Sequence, residues 1–314
     1  MIEVFAGSAV LCAVAKQAGL SCSIAIDKVK KKSARSTIFQ LDLLNSKDRT
    51  LLYQWMQSPM LLWVHLAPVC GTASRARDIR RFDGDPLPLR SNEYPEGLPD
   101  LAENEMTRVQ IANLLFQYAC EIFLAATSLG VLVTMENPKN SYFWLTCWLL
   151  CILKEIPVFF ADFQVCMLGG SRDKWTRIMA NFPAIESLNI RCDHTHEHQS
   201  WGFAKDAEGK RVWATSLESQ YPTKMCIALV NLVLQFAAEH GLTLRALSLQ
   251  EDTNPLNANR RAMVSAGQQP RPSRLPPVVS DFCSMAVFLA TTLSQFTHAK
   301  VRQRHKVAYK RWTA

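Results

Sequence analysis

Ile2-Glu3-Val4-Phe5-Ala6-Gly7-Ser8-Ala9 runs directly into Val10-Leu11-Cys12-Ala13-Val14-Ala15-Lys16-Gln17-Ala18, and Gly19 follows. The first four residues have the apolar character of a short strand, the next four are small, and the rest carries an apolar helical pattern that Gly19 stops. A strand, a small-residue turn and a helix at this spacing make a Rossmann-type opening. Gly7 lets the backbone approach a ligand, and the helix N-terminus behind it favours a carboxylate or other anion. A second strand, Ser21 to Ile26, ends in Asp27, twenty-two residues after Phe5. An acid there is placed to hydrogen-bond a nucleoside ribose, or it is a surface acid closing a strand.

The same strand-then-polar-break pattern repeats along the chain. Ile38 to Leu41 is a third short strand running into Asp42, and Leu51 to Met56 is helical. Leu61-Leu62-Trp63-Val64-His65-Leu66-Ala67 is apolar enough for a buried strand, and it breaks at Pro68-Val69-Cys70-Gly71. Arg75, Arg77, Arg80 and Arg81 follow. A cysteine at the C-terminal lip of a parallel strand, opening into an arginine-bearing loop, can present a thiol to an anionic substrate. From Gly71 to about Asp100 glycines and prolines replace apolar periodicity, the pattern of a lid or binding loop. Glu105 to Ser128 makes a long amphipathic helix with Val109, Ala112, Leu115, Phe116, Ala119 and Phe123 towards the core. Val131 to Met135 is another interior strand, terminating at Glu136-Asn137-Pro138, so Cys70 and Glu136 belong on one rim and can face one pocket. Ser141 to Leu153 reads as a helix and Pro157 to Ala161 as a strand.

The 314 residues suffice for a large core as one domain plus a smaller appendage. The +8 formal charge and pI near 9.0 fit an anionic partner. The excess is uneven: Leu256 to Ala314 holds ten Lys or Arg against the single Asp281, a net +9, which leaves the preceding residues near neutral. We therefore expect a domain over 1–245 and a basic, proline-containing extension over 246–314 with a helix at 282–296. The ten cysteines lack short repeated spacings, and Cys147, Cys151 and Cys166 read as small buried hydrophobes of a reducing compartment. No basic n-region precedes the first strand, and the apolar stretch 142–160 is broken by Lys154-Glu155 and Pro157, so no membrane partner and a nuclear or cytoplasmic location are expected.

Cys192, His194, His196 and His198 stand at alternate positions. In an extended strand the outer two are about 20 Å apart, too far for one zinc unless the segment folds back or ligands come from elsewhere. A polar substrate-facing strand or hairpin and ordinary surface histidines remain the other readings.

Together these segments resemble a divergent member of the DNA cytosine-5 methyltransferase family. Phe5-Ala6-Gly7-Ser8-Ala9 resembles its Phe-x-Gly-x-Gly cofactor loop, with Ala9 in place of a glycine, a change tolerable at negative φ. Asp27 matches the acid at the ribose of S-adenosylmethionine and Asp42 the one near its adenine. Pro68-Val69-Cys70 resembles the Pro-Cys nucleophile motif with Val69 interposed, or its Pro-Pro-Cys form, although Gly71 replaces the usual glutamine. Glu136-Asn137 matches the Glu-Asn pair, followed by Pro138 instead of valine. Arg172, Lys174 and Arg177 stand where the family has Gln-x-Arg-x-Arg, and Tyr221 to Ala228 falls at the late cofactor-binding segment.

The resemblance covers about residues 2 to 177, and its overall character is similar to methyltransferase-like domains carried in polyproteins of eukaryotic mobile elements. It implies an α/β, Rossmann-like class I S-adenosylmethionine-dependent methyltransferase fold with a mostly parallel central sheet. It implies methyl transfer to C5 of cytosine in double-stranded DNA, through a covalent adduct of Cys70. Glu136 and Asn137 would hold the base, and Arg75 or Arg77 would favour the thiolate. Phe5, Ala6, Gly7, Ser8, Asp27, Asp42 and Pro68 would line the cofactor site, and no metal is called for. A catalytically silent nucleic-acid-binding relative and an RNA cytosine methyltransferase are the alternatives, and few residues are left for a target-recognition domain.

Overall fold

The computed structural model describes residues 1–242 apart from 81, 82, 84 and 207. The expected boundary near 245, the basic extension and its helix at 282–296 lie outside the described residues. A seven-stranded sheet has the order β3-β2-β1-β4-β5-β7-β6. Its strands are β1 (Ile2–Val4), β2 (Ile24–Asp27), β3 (Ile38–Gln40), β4 (Trp63–Leu66), β5 (Leu132–Pro138), β6 (Phe159–Gln164) and β7 (Trp175–Ala180). β1 to β5 are mutually parallel, while β7 runs antiparallel between β5 and β6. This is the mostly parallel α/β sheet of a Rossmann-like methyltransferase fold.

The helices are α1 (Val10–Gln17), α2 (Ser46–Met56), α3 (Glu103–Ser128), α4 (Cys147–Glu155), α5 (Ala214–Leu217) and α6 (Thr223–Glu239). A small separate ribbon pairs β8 (Phe203–Lys205) with β9 (Arg211–Trp213). The chain moves one way along the sheet from β1 through α1 to β2, and the other way from β4 through α3 to β5. Right-handed crossovers therefore put α1 and α3 on opposite faces. On one face Leu11 and Val14 of α1 meet Leu229 and Val233 of α6 over Trp63, Phe163 and Ile178. Each such fully buried large side chain is worth roughly 1.5–3 kcal/mol, which holds helices of only modest propensity in place. α3 packs on β4, β5 and α4. Five of its six expected core residues are buried, and Leu115 is half-buried.

Several boundaries differ from expectation. β2 begins at Ile24 because residues 21–23 form a turn in which Ser23 Oγ donates to Leu20 O. β5 continues through Glu136 and Asn137 because antiparallel β7 offers partners as far as Pro138 opposite Thr176. β6 likewise extends through Asp162-Phe163-Gln164. The expected helix over 141–153 splits into a 3-10 turn, Tyr142–Leu145, and α4, with Thr146 Oγ1 donating to Phe143 O at the break. Cys192 to His198 forms no strand.

Candidate active site

The parallel strands end together on one rim. Val4 stands level with Ile26 and Leu66, and Leu66 with Met135. The Phe5–Ala9 turn, Asp27, Pro68 to Cys70 and Glu136-Asn137 therefore share that rim, where open α/β sheets bind ligands.

Asn137 Nδ2 donates to Pro68 O at 2.9 Å, fastening the Cys70 loop to β5. Beyond it the chain turns sharply: Cys70 O accepts from the amides of Ala73 and Ser74, and Val69, 45% exposed, forms an outward lip. The half-buried Cys70 thiol lies in the field of both Lys174 and Glu136. Burial pushes its pKa up, Lys174 draws it down, and Glu136 raises it. The cation that bears on the thiol is thus Lys174. The two arginines expected to do so are engaged elsewhere. Arg75 donates to Asn140 O and Asn92 Oδ1 and covers the Tyr142 ring. Arg77 donates to the carbonyls of Gly71 and Leu87.

Glu136 is buried, and its pKa is raised chiefly by that burial, with Lys174 and Tyr221 acting against the rise. Its Oε2 accepts from the Tyr221 hydroxyl at 3.0 Å, and its Oε1 lies 4.0 Å from Lys174 Nζ. Oε1 has no hydrogen-bond partner among the described residues, and the same holds for Asn137 Oδ1. Thr176 helps hold the charged form, but its Oγ1 makes no complete hydrogen bond. Two buried acceptors left open at a strand end are the feature a polar ligand would satisfy.

Behind Glu136 runs a buried relay that the motifs did not indicate. Trp63 Nε1 donates to Thr134 Oγ1 at 2.8 Å, Thr134 Oγ1 meets His65 Nδ1 at 2.8 Å, and His65 Nε2 meets the Tyr221 hydroxyl at 3.1 Å. Since Tyr221 donates to Glu136, its oxygen accepts from His65 Nε2–H. His65 Nδ1 then accepts from Thr134, and every member is satisfied. Burial depresses the His65 pKa to about 3, so the imidazole is neutral. The relay holds Oε2 and leaves the buried Oε1 without a hydrogen bond among the described residues. Polar residues at alternate positions of apolar strands were the available signal, because Trp63 and His65, and Thr134 and Glu136, each share one sheet face.

The remaining basic candidates separate. Arg172 is buried against Glu218 at 2.7 Å and donates to Ser200 O. Arg177 grips Asp162 through two hydrogen bonds of 2.6 and 2.7 Å. Of the three, only Lys174 reaches the site.

At the other end of the rim, Phe5, Gly7 and Ala9 have φ of 60°, 55° and 52°. The negative φ that would make Ala9 an easy replacement for glycine is absent. The chain carries a left-handed alanine there at roughly 1–2 kcal/mol. Asp27 holds the turn by accepting from Gly7 N–H at 2.9 Å, and its other oxygen accepts from Val29 N–H. Glu3, beneath the turn, accepts from Cys12 N–H at 2.8 Å, and burial raises its pKa to about 8. Ser8 is buried, and its carbonyl accepts from Arg35 N–H. Asp42 pairs with Lys28 at 2.9 Å, which holds its pKa down.

A cofactor cradle is present in outline. The α1 N-terminus has no side-chain cap, Ala6 is buried behind the turn, and a Cβ placed on Gly7 would meet only Lys31 Nζ, at 3.7 Å. Asp27 keeps acceptor capacity beyond its two backbone bonds. Open space at Gly7 and the remaining acceptor capacity of Asp27 are compatible with a nucleoside at this turn. Tyr221, expected in the late cofactor segment, turns its hydroxyl to Glu136.

Just past the C-terminal end of β6, Cys192, His196 and His198 do come together, with Cys166 as the fourth member, while His194 is outside the group. Cys166, read from sequence as a small core residue, sits in the 3-10 turn Val165–Leu168 after β6.

No protein-family model matches the chain, and no curated protein matches it. Among solved structures, the chain is similar to a triple mutant of Spodoptera frugiperda DNMT2, at 14% identity and a TM-score of 0.32. The alignment covers 63% of this chain and 52% of the other, so this chain spans about half that protein's length.

Proposed function

We propose that the chain transfers a methyl group from S-adenosylmethionine to C5 of cytosine in double-stranded DNA, with Cys70 as nucleophile. The observation that carries this reading is one shared electrostatic environment for the Cys70 thiol, Lys174 and Glu136, whose buried Oε1 lies 4.0 Å from Lys174 Nζ and has no hydrogen-bond partner among the described residues. A flipped cytosine needs a thiolate at C6 and a proton donor at N3, and these residues supply that pair.

Cys70 sulfur bonds to C6, and the electrons of the C5–C6 double bond move to make C5 nucleophilic. Glu136, protonated on Oε1, donates to N3 and offsets the negative charge that enters the ring. Its raised pKa favours that protonated form, and Tyr221 keeps the proton off Oε2. When bound, the cofactor supplies an electrophilic methyl group. Loss of the C5 proton to solvent, cleavage of the S–C6 bond and return of the N3 proton to Glu136 then restore the aromatic ring, the thiolate and the acid. Asn137 positions Cys70 through Pro68, and Lys174 stabilises the thiolate. The base must leave the duplex to reach the thiol, and the 71–100 loop is the element that closes over it.

The silent, nucleic-acid-binding reading has one observation in its favour: Lys31 lies over Gly7, in a segment also bearing Lys30, Lys32 and Arg35 beside an open cavity of about 650 Å³. The experiment is transfer of labelled methyl to duplex DNA and to RNA, beside Cys70→Ala. Label at cytosine C5 of DNA, lost in the variant, supports the proposal. Label on RNA alone moves the substrate to RNA. Cofactor binding without transfer to either polymer overturns the catalytic reading, and failure to bind cofactor favours the silent one.

A further inference from the structure

We infer that Cys166, Cys192, His196 and His198 bind one zinc ion in a closed, structural site, a feature independent of the proposed methyl transfer. Their four ligand atoms all lie within 4.8 Å of one another. Cys192 Sγ is 3.7 Å from His196 Nε2 and 3.5 Å from His198 Nε2, and the two Nε2 atoms are 3.1 Å apart. Zinc bonds of about 2.3 Å to sulfur and about 2.0 Å to nitrogen, set tetrahedrally, put such pairs about 3.5 Å and about 3.3 Å apart. The three edges among Cys192, His196 and His198 are close to those of a zinc tetrahedron, and Cys166 Sγ lies within 4.8 Å of each of those atoms.

The local chain is built to hold this shape. His194 takes φ 59°, which folds the segment back and brings His196 and His198 to Cys192 across a span that an extended strand would keep open. His194 N–H donates to Cys192 Sγ at 3.3 Å, which fixes the sulfur's position relative to the turn. Cys192 N–H donates to Gln164 Oε1 at 2.9 Å, and Asp193 Oδ1 lies 3.7 Å from His196 Nδ1. A carboxylate behind a ligating imidazole is a common way of orienting it. Two thiolates and two neutral imidazoles balance the charge of a divalent ion, and a tetrahedral S2N2 set selects zinc over magnesium or calcium. Four protein ligands leave no open position, so the role is structural.

The ion would join the 189–201 segment to the turn between β6 and β7. That turn is already bracketed by Val165 N–H donating to Lys174 O, Gln199 N–H to Ser171 O, and Arg172 Nε to Ser200 O. Zinc would thereby fix the stem that carries Lys174.

The test is metal analysis and zinc X-ray absorption on the full chain, purified without a histidine tag and incubated with equimolar zinc. The expected result is one zinc per chain, with two sulfurs at about 2.3 Å and two nitrogens at about 2.0 Å. His198→Asn, checked for retained fold by circular dichroism, should surrender zinc to a chelator that the wild type resists. Folded wild type that binds no zinc, a shell lacking sulfur, or a Cys166–Cys192 disulfide would each overturn the site. None of these readouts requires catalysis, so failed methyl transfer and failed zinc binding are separate results.

Discussion

In the proposed mechanism, Lys174 is the residue on which the chemistry of Cys70 turns. Burial and Glu136 both hold the thiol in its protonated form, and Lys174 is the charged side chain that opposes them. Replacing it with an uncharged side chain of similar length removes that opposition. Lys174→Met should therefore lower kcat/KM by roughly 10–100-fold near neutrality, in line with losing one positioned charge. The acidic limb of its pH–rate profile should move to higher pH, with partial recovery of rate there. A uniform loss at every pH, with no displaced limb, would assign Lys174 a purely structural role. Under the proposal Glu136 should impose the other limb, since its protonated form is the one assigned to N3 and its pKa is raised. At this scale the sequence revealed part of the site. Cys70, Glu136 and Asn137 were legible because each ends an apolar run. Tyr221 was not, because it meets Glu136 from 85 residues away and His65 from 156. Arg75 and Arg77 were misleading because nearness in sequence to Cys70 did not place them at its thiol.

The elements around the site differ in how firmly they are held. The 71–100 loop has little regular structure, a 3-10 turn at Arg75–Asp78 being its one helical piece among the described residues. Yet Arg90 within it is 1% exposed and donates to Thr72, Pro95 and Asn113. It anchors the C-terminal part of the loop to α3 and to the residues just past Cys70. Arg90→Ala strands those buried acceptors together and should cost about 3–5 kcal/mol, read as a lowered urea midpoint. A change below about 1 kcal/mol would mean the loop is held by something else. The sequence marked the loop correctly as irregular, but composition could not show that one buried guanidinium pins it. The Cys192–His198 segment failed as a strand for a related reason. Its alternation of ligands suits a pleated face, but the left-handed turn at His194 lets them close on a point.

Across the whole molecule, the mostly parallel sheet and its rim were legible, because each apolar run is short and ends at a polar break, whereas the strand order was not. β7 itself was missed, since no strand was expected over Trp175–Ala180, and its reversal could not be read because periodicity carries no direction. The sheet also buries two titratable groups with opposite consequences. His65 has its pKa depressed to about 3, so its contribution to stability is present above about pH 6.5 and lost as pH falls towards about 3. Glu3 has its pKa raised to about 8, so its contribution is full below about pH 4.5 and lost as pH rises through about 8. Each contributes a few kcal/mol at the limit, because a tenfold change in proton affinity between the folded and unfolded chain corresponds to about 1.4 kcal/mol. Glu3→Gln keeps an acceptor for Cys12 N–H without the charge. Urea unfolding of the wild type should weaken between about pH 5 and about pH 9 relative to the variant, and parallel curves would show that Glu3 does not ionise on unfolding.

The central claim is that Cys70, alone among ten cysteines, attacks C6 of a cytosine. A duplex carrying 5-fluorocytosine tests it most directly, because fluorine at C5 cannot leave as a proton does and the covalent adduct persists. With S-adenosylmethionine present, mass spectrometry of the digested complex should find the methylated nucleotide on the Cys70 peptide. Adduct on another cysteine, or methylation of ordinary cytosine with no adduct at Cys70, would contradict the account.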